Sequence, residues 1–259
     1  MCSQGRGMKE IRILGLEAIP VVREGDDVGA LICEAAEREG VGICDGDVIV
    51  VSHIIISRAE GRVVSLSDVR PSEFALNVAQ ELGKDPRLVE VVLRESKGIV
   101  RMGDGHLICE TKHGFICANA GVDRSNVPGE EAVALLPEDP DASARRIKER
   151  IKELTGRDVA VIVCDTHGRP LRRGTINVAI GVAGLEPIWD RRGDVDLFGY
   201  VLRVTRVAVA DELASAAELL MGQADEGIPV VIIRGYRYRP SEHASARELI
   251  RPRKRDLFI

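Results

Sequence analysis

The sequence predicts a mixed α/β fold with α+β character: an unusual arrangement of sheet and helix, neither P-loop nor Rossmann. Three observations lead there. β-Branched apolar runs alternate with amphipathic helical stretches along most of the 259 residues. The middle of the chain is β-rich. The signatures G-x-x-x-x-G-K-[ST], G-x-G-x-x-G and G-x-S-x-G are all missing, which removes the commonest nucleotide-binding and hydrolase frameworks.

Each element has its own warrant. EIRILGL (10–16) reads as a strand. DDVGALICEAAEREG (26–40) opens on a capping Asp and places Val28, Leu31, Ile32, Ala35 and Ala36 on one helical face. GDVIVVSHIIIS (46–57) is continuous and β-branched, so it reads as one buried strand. Helices follow at SEFALNVAQELG and at PRLVEVVLRES, where Pro86 suits a first helical position. HLICETK, HG and FICANAGV form a hairpin between 106 and 122. DPDASARRIKERIKELTG is a helix, with Ile147, Ile151 and Leu154 on its buried side and Gly156 just past its end. Strands are expected at 159–164, 176–183 and 201–209, then a helix at 211–222 and a final strand in IPVVIIRG. No repeat or linker interrupts the chain. Residues 1–259 therefore read as one unit, or as two interwoven subdomains with a seam near 60–110.

Composition narrows the function. Apolar residues make up 45 %, enough for an ordinary core, and the net charge of −5 argues against a broad nucleic-acid surface. No apolar run approaches the roughly 20 residues of a membrane span, and MCSQGRGMKE has no apolar signal core. Both predict a cytoplasmic protein without membrane contact. The tail RPRKRD is basic; it reads either as a solvated terminus or as a phosphate-binding or subunit-clasping arm. None of the six cysteines is spaced as a zinc ligand pair, and free buried thiols are expected. Cys109 and Cys117 flank the predicted hairpin and would lie across from one another.

Four stretches carry chemistry. VAVIVCDTHGRPLRRG (159–174) ends an apolar run on Asp165 and Thr166, hard oxygen donors suited to Mg²⁺ or Mn²⁺. Arg169, Arg172 and Arg173 follow and suit phosphate. The alternative is an Asx-turn with its arginines in solvent. ANAGVDRSN also ends a strand and delivers Asp123, with Asn119, Ser125 and Asn126 nearby. Two strand-terminal carboxylates suit a divalent ion bridging phosphates, unless the second is only a polar turn. LLMGQADEGIP (219–229) offers Gln223 as an amide-oxygen ligand, with Asp225 and Glu226 beside it, or is simply a helix cap and acidic loop. SHIIISRAEGR (52–62) carries His53 in a buried setting, where a satisfied core imidazole is the competing role. Ser57 and Arg58 near its end suit phosphate.

These stretches, together with GLEAIPVVREGDD, PSEFA and DLFGYVLRVT, resemble the coenzyme F-420-0:γ-glutamyl ligase family along nearly the whole chain. The resemblance implies an acid–amino-acid ligase. GTP phosphorylates the lactyl carboxylate of the deazaflavin precursor, L-glutamate attacks the acyl phosphate, and a second glutamate adds by γ-linkage. It implies two Mg²⁺ or Mn²⁺ ions, K⁺, a two-part fold and an intertwined homodimer. Carried over by motif, Asp123 and Asp165 are metal ligands, with Thr166 and Gln223 around a second ion. Ile19, Pro20, Val21 and Val22, and the turn Leu219, Leu220, Met221, Gly222, Gln223, Ala224, Asp225 and Glu226, line the GTP site with Asn126. His53, Ile54, Ser57 and Arg58 are expected along the phosphates. Arg169, Arg172 and Arg173 are assigned from the sequence itself to the anionic substrates. Arg58 stands where the family usually has Lys, and Ile54 where it has a polar or basic residue. A related ligase with another acceptor, and a nucleotide- or deazaflavin-binding protein without catalysis, are the competing readings.

Overall fold

The computed structural model describes residues 9–257, so Cys2 and most of the N-terminal stretch lie outside the described residues. In chain order the main elements are β1 (Arg12–Leu16), α1 (Val28–Arg38), β2 (Val48–Ser52), α2 (His53–Ala59), β3 (Val63–Ser65), α3 (Glu73–Leu82) and α4 (Pro86–Arg94). The β-rich middle supplies β4 (Ser96–Gly103), β5 (His106–Thr111), β6 (Ile116–Ala118) and β7 (Ala132–Ala134). Then come α5 (Pro140–Thr155), β8 (Ala160–Arg169), β9 (Arg172–Leu185), β10 (Trp189–Asp190), β11 (Arg206–Val207), α6 (Val209–Met221), β12 (Val230–Arg234) and β13 (Pro240–Ser241).

A six-stranded sheet in the order β1-β12-β2-β8-β9-β13 forms the main layer. Only β2 and β8 run parallel, with Val48 opposite Ala160 and Ser52 opposite Cys164. Both are central; β2 is buried over Val48–Val51 and β8 over its first half, Ala160–Cys164, as expected for strand segments without an alternating pattern. Helices α5 and α6 pack on the β8–β9 hairpin, and α1 packs on α5. Capping fixes the helices. Asp27, Ser72, Asp85 and Asp139 each accept a backbone N–H from the first turn of α1, α3, α4 and α5. Helix α5 stops at Gly156, whose φ of 69° suits a residue without Cβ.

Buried apolar side chains fall into two clusters. The larger fills the main sheet and its helices, with Leu16, Ile49, Ile162, Ile180 and Ile232 fully enclosed. The second runs between Leu66 and Leu135, joining α3, α4 and the small sheet β4-β5-β6 with its neighbours.

Four local expectations change. The run 46–57 is not one strand: Ser52 turns the chain and α2 starts at His53. Apolarity was common to both halves; the helix buries His53, Ile55, Ile56 and Ser57, while Ile54 turns toward the neighbouring cavity. The strand expected at 201–209 shrinks to Arg206–Val207, since Val201 and Val204 are exposed and Val209 already opens α6. The strands expected at 159–164 and 176–183 run on into a long hairpin, so Asp165 and Thr166 lie within β8 and not at its end. Cys109 and Cys117 are the free, buried cross-strand partners expected, but Cys44 departs from the expectation of free thiols and is disulfide-bonded.

Candidate active site

The parallel pairing of β2 and β8 decides where the site forms. The carboxyl end of β2, Ser52, lies beside Cys164 on β8, and β8 runs on past it to Arg169. His53, the first residue beyond β2, therefore meets Asp165, the residue after Cys164 on β8. The contact is His53 Nε2 to Asp165 Oδ1 at 3.2 Å. The same oxygen accepts the Thr166 backbone N–H at 2.7 Å. His167, two residues along the strand and so on the same face, holds Oδ2 at 3.0 Å. Only 11 % of the Asp165 side chain is exposed. Burial pushes its carboxyl up, but His53 and His167 outweigh burial and hold it well below the usual carboxylate range. Asp165 is thus a fixed, ionised group.

A cavity of about 300 Å³ opens beside it, at the lower end of small-molecule sites. Asp165, Thr166, His53, Ile54 and Arg58 line it from the sheet and α2. Ile19, Pro20 and Val21 close one side, and Met221, Gly222, Gln223 and Ala224 another. Asp123 and Asn126 reach in from the loop between Val122 and Val133 of the second core. That loop is shaped by left-handed backbone at Asn119, Ala120 and Asn126, with φ near 50° at each, and by an isolated bridge between Asp123 and Ala134. Asp123 accepts Ser125 N at 2.8 Å and Ser125 Oγ at 2.7 Å. Asn126 Nδ2 reaches the Ala224 carbonyl at 3.4 Å, tying this loop to the turn after α6.

Other expected residues lie elsewhere. Val22 is buried in the main core and Ser57 is fully buried, facing His53 Nδ1 at 3.4 Å. Leu219, Leu220, Asp225 and Glu226 flank the cavity turn without lining it. Arg172 and Arg173 are exposed at the tip of the β8–β9 hairpin and do not line the cavity; Arg169 is folded back onto the carbonyls of Arg173 and Gly174. The turn between them holds Leu171 at φ 61°.

Three contributors were not singled out from the sequence. His167 was within reach, because a strand places residues i and i+2 on one face. Asn177 sits opposite Thr166 in the β8–β9 register, a pairing that only the hairpin reveals. Glu218, on the last turn of α6, lines the cavity, and burial pushes its carboxyl up. Its Oε2 is buried without a partner, as is Arg58 Nε.

Hard divalent ions prefer oxygen donors, and Asp123, Asp165, Thr166 and Gln223 offer four in one cavity. The unpartnered Glu218 oxygen fits the same demand. A softer grouping also exists: ligand atoms of Cys117, Asp165 and His167 lie within 4.8 Å of one another. Burial drives the Cys117 thiol far up, which opposes the thiolate a soft ion needs. The oxygen set is the better fit.

Comparison with known proteins gives the family. A model of the F420-0:Gamma-glutamyl ligase family matches residues 17–235. The chain is 52 % identical over 249 residues to the coenzyme F420:L-glutamate ligase of Methanothermobacter thermautotrophicus, covering 96 % of this chain and 98 % of that one. It is 51 % identical over 251 residues to the Methanopyrus kandleri ligase of the same name, covering 95 % and 97 %. Against the Archaeoglobus fulgidus ligase the figures are 42 % over 249 residues, with 96 % of each covered. On these grounds, and with its cavity residues inside the matched region, this chain belongs to the F420-0:gamma-glutamyl ligase family.

Proposed function

We propose that this protein is a GTP-dependent ligase that joins L-glutamate to the lactyl carboxylate of the deazaflavin coenzyme F420-0, then adds a second glutamate by γ-linkage. The observation that carries the reading is the meeting of Asp123 and Asp165 in one cavity with Thr166 and Gln223. The names of its relatives give the acceptor and the amino acid. The reaction runs in two steps. A carboxylate oxygen of the acceptor takes the terminal phosphoryl group of GTP, and GDP leaves. The glutamate amine attacks the resulting acyl phosphate; the amide forms, phosphate leaves and the amine proton is lost.

The residues divide this work. Asp123, Asp165, Thr166 and Gln223 would hold two Mg²⁺ or Mn²⁺ ions, which when bound neutralise charge on the phosphates. His53, His167 and the Thr166 N–H keep Asp165 oriented and ionised. Arg58 offers an uncommitted buried N–H to an anionic oxygen. Asn126, Ala224 and the Ile19–Val21 segment form the walls against the nucleotide. K⁺ is a further cation in this scheme. We place the reaction in the cytoplasm; no helix among the described residues is long and apolar enough to cross a membrane. A homodimer would cover Leu197, Phe198 and Val204, which are 98 %, 94 % and 85 % exposed.

Mass spectrometry of the deazaflavin after incubation with protein, GTP, L-glutamate, Mn²⁺ and K⁺ tests the reading. Added glutamyl mass, lost in Asp165→Asn, supports it. GDP release with an unchanged deazaflavin would transfer the chemistry to another acceptor. No GDP at all would leave a binding protein.

A further inference from the structure

Hydrogen-bond direction fixes which atoms of the cavity remain open. Asn177 is 4 % exposed. Its Nδ2 faces Cys164 Sγ at 3.5 Å and Met221 Sδ at 3.6 Å, so its Oδ1 faces Thr166 Oγ1 at 2.8 Å. A carbonyl oxygen cannot donate, so the Thr166 hydroxyl must. The Thr166 oxygen then accepts from Gln223 Nε2 at 2.9 Å. The other N–H of that amide goes to Glu218 Oε1. Both Gln223 protons are now committed, and its amide has one orientation. Three oxygen acceptors are left: Gln223 Oε1, one lone pair of Thr166, and Glu218 Oε2, which is buried without a partner.

All three are hard oxygens, and with the Thr166 proton and both Gln223 protons already committed, the set offers acceptors to a cation and no donor from Thr166 or Gln223 to an anion. The two neutral ligands, Thr166 and Gln223, would leave a divalent ion without a charged partner on that side, and charge count among the ligands sets affinity for such ions. We propose that Glu218 is the anionic ligand of the cation held by Thr166 and Gln223, and that Asn177 is the positioning residue that sets the polarity of the set. This rests on the reading of the cavity as a metal-dependent nucleotide site. It adds a third carboxylate to that site and ties the end of α6 to the cation.

The test is a Mn²⁺ titration of the full chain, followed by the electron paramagnetic resonance signal of free Mn²⁺. Wild type, Glu218→Gln, Glu218→Ala and Asp165→Asn are compared, each checked for folding by circular dichroism. The wild-type chain is expected to bind two ions. Glu218→Gln and Glu218→Ala are expected to bind one, with the second weakened at least tenfold, while Asp165→Asn keeps the ion at Glu218. Two ions of unchanged affinity in both folded Glu218 variants would overturn the proposal while leaving the ligase reading intact. A wild-type chain that binds no Mn²⁺ would remove the metal-site reading and this proposal together. If one Glu218 variant does not fold, the other carries the comparison. If neither folds, Gln223→Ala replaces them: retention of both ions there also counts against the proposed set.

Discussion

Three groups hold Asp165, and these neighbours set what substitution should do. Removing the imidazole of His167 frees Oδ2; groups that orient metal ligands typically contribute about 10–100-fold to affinity or activity. His167→Ala should therefore raise the Mn²⁺ concentration giving half-maximal ligation by that range, with a melting temperature close to wild type. Metal-dependence curves of the purified variant check it. Asp165 and Thr166 were legible in the sequence because an apolar run ends on them, although the strand itself runs on to Arg169. His53 was legible only as one of two alternatives. Its role depends on β2 lying parallel to β8, and nothing local in SHIII announces a partner more than a hundred residues away. Glu218 and Asn177 were silent for the same reason: each acts across elements, through Gln223 and Thr166.

Elements were legible wherever the pattern was strong. The helices capped by Asp27, Ser72, Asp85 and Asp139 stand where their caps and periodicity put them. The run 46–57 was misread because an unbroken apolar stretch carries no period to separate strand from helix. Two expectations belong at this scale. Gly181 on β9 lies so close to α5 that an added Cβ would stand 2.3 Å from the Pro140 carbonyl oxygen. Gly181→Ala should cost about 3 kcal/mol, at the upper end for overpacking, measurable by chemical denaturation. Asp211, in the first turn of α6, accepts the Ala179 N–H at 2.9 Å. Burial raises its carboxyl, against the opposing effect of that N–H. A raised folded-state value means the folded chain binds the proton more tightly, so this group's contribution to stability falls as pH rises from about 4. Asp211→Asn should gain in melting temperature relative to wild type over that rise. Thermal melts at pH 4 and pH 7 read it directly; an equal difference at both would count against it.

At the scale of the whole molecule, an α/β unit with a second β-rich region was legible in the alternation of patterns. The closing of a cavity between them was not, since it depends on a loop bent by left-handed residues at 119, 120 and 126. The exposed apolar side chains at 197, 198 and 204 are part of the same picture. Leu197→Glu combined with Phe198→Glu should halve the mass measured by light scattering if a second copy covers them. An unchanged mass would separate that surface from assembly.

The two hydrophobic cores have a further consequence. Asp123 follows Val122, anchored in the smaller core, while Asp165 follows Cys164, anchored in the larger. The pair is therefore only as durable as the seam between the cores. On heating, the smaller core can loosen and carry Asp123 away while the central sheet is still intact. Catalytic failure should then set in several degrees below the main calorimetric transition and reverse on prompt cooling. The working temperature limit of this protein would be set by alignment, ahead of denaturation.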